Sequence, residues 1–300
     1  MVWIMTSATT VLLAAALSSM AHDGERAGIL DKAASRYAKL DRFCVHYKNF
    51  GEGKTAVVFI HGFACDMTTW RFQVPAFADK TRVILIDLPG HGHSDKPKVD
   101  YSMDLCARAI DAVLKEAEVE KAVLVGHSMG VPVVRRFWRL YPNQTVALVA
   151  VDGMIVPLSF ADGKKQIESL EGPGYKEVML KFADMTFTGL SAELRQSIKE
   201  VIVSTPQHVL VGMARAMDER ATWKDDPIKV PVQMILSSAP IWPADYERQV
   251  LKLAPKLEFR RMQRVGHCLM MEKPKEFNAL LGEFLEKQHV LTHRPRGGGR

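Results

Sequence analysis

Short, mostly apolar runs recur along the chain, separated by segments with the helical spacing of hydrophobic residues. The runs cover residues 56–60, 83–86, 122–125, 146–151, 232–236 and 257–260. They are typical of parallel strands buried on both faces of a sheet and joined by right-handed crossovers. Residues 43–47 and the glycine-bounded turn after them predict an opening hairpin, and residues 25–40 predict a helix. The pattern predicts an α/β fold with a mostly parallel, twisted sheet of about eight strands and helices on both faces.

The alternation of strands and helices stops between residues 156 and 227. Apolar strand runs give way there to helical periodicities at 174–183, 191–203 and 209–219, which are rich in Met and Phe. The sheet pattern resumes at Pro231. We therefore predict an α/β core made of residues 22–155 and 228–290, with residues 156–227 inserted as a helical cap.

The two ends of the chain differ from the body in composition. Residues 11–17 form a short apolar core before Ser19-Met20-Ala21, which favours a signal peptide over 1–21 and export to the periplasm or medium. That segment is too short to span a membrane, and its lack of Lys or Arg leaves a cytoplasmic protein as the alternative. At the other end, residues 291–300 predict a disordered basic tail.

Charge and cysteine content narrow the classes of partner. The formal net charge is +6, and three of those charges belong to Arg294, Arg296 and Arg300 in the tail. A body with so mild an excess, and with no basic run interleaved with aromatics, does not indicate a nucleic-acid surface. The four cysteines have no C-x-x-C spacing, so neither a disulfide scaffold nor a zinc site is predicted. His91 and His93 have no evident third ligand for a metal.

The sequence Gly126-His127-Ser128-Met129-Gly130 lies between an apolar run and a helical pattern over 129–140. A serine on such a sharp strand-to-helix turn has its hydroxyl raised above the sheet, and crowding at the turn demands flanking glycines. The Met129 N–H, at the helix start, would face developing negative charge. The Phe63 N–H, at the end of an earlier strand in His61-Gly62-Phe63, would supply a second donor to this oxyanion hole.

Together with the Gly-rich turn at 87–95 and Gly266-His267-Cys268 after the last strand, these motifs resemble the α/β-hydrolase superfamily. The resemblance covers residues 42–288 and is greatest with the capped branch of carboxylesterases, carbon–carbon bond hydrolases and haloalkane dehalogenases. It implies Ser128 as nucleophile and His267 as general base, with no cofactor and no metal. Dehalogenases and epoxide hydrolases carry Asp where this chain has Ser128, so their chemistry is not predicted.

Two Asp residues are candidates for the acid that orients His267. The superfamily usually places it just after the seventh strand, but residues 237–243 contain no Asp or Glu. Asp152, at the end of the sixth strand, occupies the position that one branch of the dehalogenases uses. Asp245, at the start of a helical pattern over 244–253, is the alternative, although an Asp there also caps a helix. Both remain candidates.

These residues predict hydrolysis of a small-molecule ester with an apolar or aromatic acyl group. The alternatives are a carbon–carbon bond hydrolase or lactonase using the same residues, and a non-catalytic ligand-binding relative, which only the missing acid after the seventh strand favours. Met179, Phe182, Met185 and Phe187 of the cap also suggest an apolar site, although Met at helical spacing is typical of packing. The predicted pocket residues are Trp70, His127, Met154, Met213 and Met217.

Overall fold

The computed structural model describes residues 28–158 and 163–291 of the chain. Within these residues eight strands form one sheet in the order β1-β2-β4-β3-β5-β6-β7-β8. The β1–β2 and β2–β4 pairs are antiparallel, and the other neighbours are parallel. The predicted fold class is confirmed. The strands are β1 Arg36–Leu40, β2 Phe43–Phe50, β3 Thr55–Ile60, β4 Arg82–Ile86, β5 Lys121–His127, β6 Thr145–Val151, β7 Val232–Ser237 and β8 Leu257–Met262.

Helices cover the sheet and connect its parallel strands. In the described ranges the α-helices are α1 Val74–Phe77, α2 Met103–Glu116, α3 Gly130–Leu140, α4 Gly163–Glu171, α5 Tyr175–Thr186, α6 Ala192–Ser204, α7 Gln207–Asp218, α8 Tyr246–Leu253, α9 Leu269–Glu272 and α10 Pro274–Lys287. Short 3₁₀ helices occur at Leu30–Lys32, Met67–Trp70, Pro142–Gln144 and Arg220–Trp223.

The helix predicted over residues 25–40 is wrong where the structure describes it. A 3₁₀ turn at Leu30–Lys32 is followed by strand β1. Ala38 and Leu40 are buried while their neighbours are exposed, which is the two-residue period of a half-covered strand. The backbone of β1 pairs with β2 through a tight turn in which Asp41 has φ +53°. This tertiary pairing outweighs the local helical preference.

In the described residues, four α-helices, α4 to α7, and the 3₁₀ helix Arg220–Trp223 lie between β6 and β7, and we call this stretch the helical insertion. Helix α7 packs on the loop that follows β4: a Cβ added to Gly90 would lie 2.4 Å from a methyl carbon of Val209. Nearby, a Cβ on Gly212 would lie 2.9 Å from the ring of Tyr101. The insertion therefore sits at the carboxyl edge of the parallel strands, where open α/β sheets bind ligands.

Both ends of the helical insertion are tied to the core. The buried Tyr246 hydroxyl donates to Val156 O at 2.7 Å and accepts from the N–H of Ile155 at 3.1 Å. At the other end, Arg135 and Arg139 of α3 bind Asp226, at 3.1 and 2.5 Å. These contacts fix where the chain leaves the sheet and where it returns.

Among the described residues, no helix combines the length and apolar character that crossing a bilayer requires. The predicted signal peptide, residues 1–21, lies outside the described residues, as do residues 292–300 of the predicted tail.

Candidate active site

Ser128 occupies the turn between β5, which ends at His127, and α3, which begins at Gly130. Its backbone has φ +52°, a left-handed conformation that costs a non-glycine residue free energy. The turn is crowded: a Cβ on Gly126 would lie 2.4 Å from Gly130 O, and a Cβ on Gly130 would lie 2.6 Å from Ile60 O. Glycine is therefore required on both sides, and half-buried Ser128 is presented at the carboxyl edge of the sheet.

Two backbone N–H groups are available beside Ser128. The loop after β3 approaches it closely, since a Cβ on Gly62 would lie 3.1 Å from the Ser128 Cβ. Within residues 28–158 and 163–291, the N–H groups of Phe63 and Met129 donate to no protein acceptor, whereas the Ser128 N–H donates to Val151 O at 2.9 Å. The Met129 N–H also benefits from the positive end of α3.

His267 lies in the loop between β8 and α9, and it contacts Asp152. Its Nδ1 is 2.8 Å from Asp152 Oδ2. The other carboxylate oxygen, Oδ1, accepts from the Ser237 N–H at 2.7 Å and from the indole N–H of Trp242 at 3.1 Å. Asp152 directly follows β6 with φ +41°. Ser237 ends the neighbouring strand β7, so adjacent strand ends build the carboxylate site.

The environment keeps Asp152 ionised. Burial alone would raise the pKa of this carboxyl group, but the hydrogen bond from His267, its charge and the bonds from Ser237 outweigh burial and lower the pKa. A buried carboxylate held in this way can fix the tautomer of an imidazole and stabilise its protonated form.

The alternative acid, Asp245, has different partners. Its Oδ1 accepts from Gln249 Nε2 at 3.2 Å, and its Oδ2 is 3.8 Å from Arg248. Both partners belong to α8, which Asp245 precedes. The structure thus brings Asp152 to His267 and leaves Asp245 with its own helix.

His127 directly precedes Ser128, and its ring lies between those of His267 and Trp70. The His127 ring packs on the His267 ring with centroids 4.6 Å apart, and its Nε2 is 3.0 Å from His267 O. Trp70 is fully buried, with its ring 6.3 Å from His127 and 5.0 Å from Phe59. Trp70 therefore packs in the core beside His127, and whether it contacts a substrate stays a prediction.

A row of aromatic rings runs from the helical insertion to the loops that carry Phe63 and His267. The Phe63 ring lies 6.4 Å from the Phe182 ring, which lies 6.1 Å from Phe187. Phe187 in turn lies 6.5 Å from the His267 ring. The row links the loop after β3, which carries Phe63 and is called the oxyanion loop below, to His267 through the insertion, and it gives the site an apolar border.

The methionines predicted for the pocket are divided. Met154 is half-buried in the loop after β6, where its Sδ accepts from the Leu158 N–H at 3.4 Å. Met213 is fully buried on α7, and Met217 is half-buried on the same helix. Met185 is 80% exposed, so it contributes little to an apolar site. Whether Met154, Met213 and Met217 contact a substrate stays a prediction.

Buried Asp87, in the loop after β4, binds the segment that follows β3. This carboxylate accepts from the N–H groups of Met67 and His93, at 2.8 and 2.9 Å, and contacts His46 Nδ1 at 2.8 Å. Among the described residues no group of three or more His, Cys, Asp or Glu is placed to hold a metal ion.

Sheet, serine turn and His–Asp pair together define a hydrolase architecture, and comparison with known proteins assigns the family. Residues 57–280 match the model of the alpha/beta hydrolase family. The chain belongs to this family, and it is an enzyme of the α/β-hydrolase type.

Several relatives share much of the chain. It is 29% identical to a 2-hydroxy-6-oxononadienedioate/2-hydroxy-6-oxononatrienedioate hydrolase of Paraburkholderia phymatum, over 80% of this chain and 90% of the relative. It is 26% identical to a dihydrolipoyllysine-residue acetyltransferase component of the acetoin cleaving system of Pseudomonas putida, over 79% of this chain but only 65% of the relative.

Solved structures show the same fold. A thermophilic esterase from Thermogutta terrifontis superposes with a TM-score of 0.74 at 24% identity, covering 86% of this chain and all of that one. An enol-lactonase from Burkholderia xenovorans gives 0.72 at 19% identity, covering 84% and all of that chain. At these identities the likeness concerns the fold.

Proposed function

We propose that the protein hydrolyses carboxylic esters of small molecules, with Ser128 as nucleophile, His267 as general base and Asp152 as the acid. The observation that carries this proposal is the 2.8 Å contact between His267 Nδ1 and Asp152 Oδ2 at the sheet edge that presents Ser128. The bonded His267 imidazole packs on His127, the residue next to Ser128. Nucleophile, base and orienting carboxylate therefore share one site.

The proposed reaction proceeds through an acyl-enzyme. Ser128 Oγ attacks the ester carbonyl as its proton passes to His267 Nε2, and the resulting oxyanion accepts from the N–H groups of Phe63 and Met129. The carbon–oxygen bond to the leaving alcohol then breaks, and His267 returns its proton to that oxygen. Water then attacks the acyl carbonyl as His267 takes its proton. The bond between the acyl carbon and Ser128 Oγ breaks, the carboxylic acid leaves, and His267 returns the proton to Ser128 Oγ. Asp152 stays ionised and holds His267 Nδ1–H throughout.

The border of the site favours an apolar or aromatic acyl group. Phe63, Phe182 and Phe187 present uncharged rings between the oxyanion loop and His267. Aromatic faces and edges bind apolar substituents by surface burial and ring packing. A neutral ester fits this border better than a substrate with a charge on its acyl part.

The first test is hydrolysis of p-nitrophenyl butyrate by the wild type and by Ser128→Ala, with circular dichroism confirming the fold of both. We expect turnover by the wild type and a loss of roughly 10⁴-fold or more in the variant. A fluorophosphonate should label the wild type and not Ser128→Ala. A wild type that neither turns over a wider ester panel nor reacts with the fluorophosphonate would refute the proposal and support a ligand-binding protein.

A carbon–carbon bond hydrolase is the second candidate, because the Paraburkholderia phymatum relative is matched over 90% of its length. Its substrate, as named, carries two carboxylates, which contrasts with the uncharged rings here. The same wild-type enzyme is assayed with a ring-cleavage dienedioate beside the ester panel. A kcat/KM for the dienedioate above that for every ester would favour this candidate.

A further inference from the structure

His127 contacts the loop of the proposed base from a position directly before the nucleophile. Its Nε2 lies 3.0 Å from the carbonyl oxygen of His267, a residue 140 positions later in the chain. Because a carbonyl oxygen only accepts, Nε2 must carry the proton and donate. The ring also packs on the His267 imidazole at 4.6 Å between centroids, with the planes tilted by 46°.

The other ring nitrogen keeps His127 neutral. Nδ1 is buried and has no hydrogen-bond partner in the described parts of the chain, and a Cβ on Gly62 would lie 3.1 Å from it. Adding a proton there would bury an unpaired positive charge. Burial, assisted by the neighbouring His267, lowers the pKa of His127 to about 3, although the His267 carbonyl and Asp152 act in the opposite direction. His127 is therefore a fixed donor at neutral pH.

The segment that carries His267 is also held on its other side. The Gly266 N–H donates to Glu272 Oε2 at 2.7 Å, from the end of helix α9. One peptide N–H before His267 and the carbonyl of His267 itself are thus both bound. The imidazole then has its Nδ1 on Asp152 and its face on His127. Backbone, ring plane and ring rotation are each fixed by a different contact.

We infer that His127 is a positioning residue, which fixes the backbone and ring plane of His267 so that Nε2 faces Ser128. This inference rests on the proposed function, since it assigns His267 the role of base. His127 touches neither substrate nor reacting atoms in this role. It acts through the hydrogen bond to His267 O and through the ring contact.

Two amide substitutions separate the hydrogen bond from other effects of removing the ring. In His127→Gln the amide nitrogen reaches the place of His Nε2 and can still donate to His267 O. In His127→Asn the amide nitrogen reaches only the place of Nδ1, which has no partner. We expect kcat on p-nitrophenyl butyrate to fall roughly 5- to 100-fold in His127→Asn, with KM unchanged, and to recover most of that loss in His127→Gln.

A spectroscopic measurement tests the inference without a substrate. The proton shared by His267 Nδ1 and Asp152 gives a low-field ¹H NMR signal, assigned by its loss in Asp152→Ala. We expect His127→Asn to shift or broaden this signal and His127→Gln to keep it at the wild-type position. If kcat and this signal are the same in His127→Asn as in the wild type, the inference is overturned. A wild type with the signal but without turnover or fluorophosphonate labelling would instead refute the proposed function.

Discussion

Replacing Asp152 by Asn tests whether this residue orients His267, and the hydrogen bonds around Asp152 predict which way the new amide turns. In the native protein, Oδ1 accepts from two donors, the Ser237 N–H and the Trp242 indole N–H, while Oδ2 faces His267 Nδ1. An asparagine must present its single oxygen to one side and its NH₂ to the other. The donors around residue 152 determine which side receives the oxygen.

The two donors fix the orientation of the new amide. Turning the amide oxygen toward His267 would point the NH₂ at the N–H groups of Ser237 and Trp242, leaving two buried donors unpaired at about 1–3 kcal/mol each. The oxygen therefore stays with Ser237 and Trp242, and the NH₂ donates to His267 Nδ1. His267 then carries its proton on Nε2, where it cannot accept the proton of Ser128. We expect kcat to fall about 10⁴-fold, or about 5 kcal/mol in barrier.

The assay is kcat and KM on p-nitrophenyl butyrate, with urea unfolding to show that the variant is folded. Because Asn keeps the bonds from Ser237 and Trp242, its fold should survive. Asp245→Asn is the matched control, since its carboxylate contacts Gln249 and Arg248 of α8, and we expect its kcat within about twofold of the wild type. Activity above a tenth of wild type in Asp152→Asn, or collapse in Asp245→Asn, would refute the reasoning.

Two predictions concern stability. The pKa of buried His91 is lowered from 6.5 to about 3 by burial and by the nearby His61, so below pH 6.5 the unfolded chain binds a proton that the folded protein does not. The contribution of His91 to the free energy of unfolding is therefore complete above pH 6.5 and is lost as the pH falls toward 3. In urea titrations at several pH values, His91→Phe should reduce the slope of the free energy of unfolding against pH by up to about 1.4 kcal/mol per pH unit. An unchanged slope would contradict this prediction. Gly126→Ala should lower the free energy of unfolding by about 1–3 kcal/mol in urea, because its Cβ would meet backbone atoms at 2.4 Å. Gly172→Ala is the control: its Cβ would lie 3.7 Å from the nearest atom, and the loss should be less than about 0.5 kcal/mol. Equal losses in the two variants would contradict the crowding argument.

The parallel strands could be predicted because a strand buried on both faces is made of consecutive apolar residues, a pattern that exposed elements do not have. Strands β3 to β7 are of this kind. Strand β1 is covered on one face only, and its short alternation around Ala38 does not outweigh the helical spacing before it. Its identity depends on pairing with β2, which is a tertiary contact.

The choice between Asp152 and Asp245 could not be made from the sequence for a similar reason. The sequence predicts Ser128 and His267 from local motifs, but it leaves Asp152 and Asp245 open because an acid is missing after β7. In the structure that stretch holds Asp152 through Ser237 and Trp242, from the strand beside β6. The presence of Trp242 in the loop where the family usually has the acid was the one sequence signal that this loop binds a carboxylate from another strand. The order of the rings of Phe182 and Phe187 depends on packing between helices, which periodicity does not specify.

The contacts that hold both ends of the helical insertion to the core have a consequence for how the protein can evolve. Tyr246 holds the chain where it leaves β6, and Arg135 and Arg139 hold it near Asp226 before β7. Substitutions between these anchors can accumulate without disturbing strand register or the Ser128 turn. On the proposed function, a lineage can thus retain one hydrolytic site while the residues of the insertion that border the substrate change, because the junctions with the sheet stay the same.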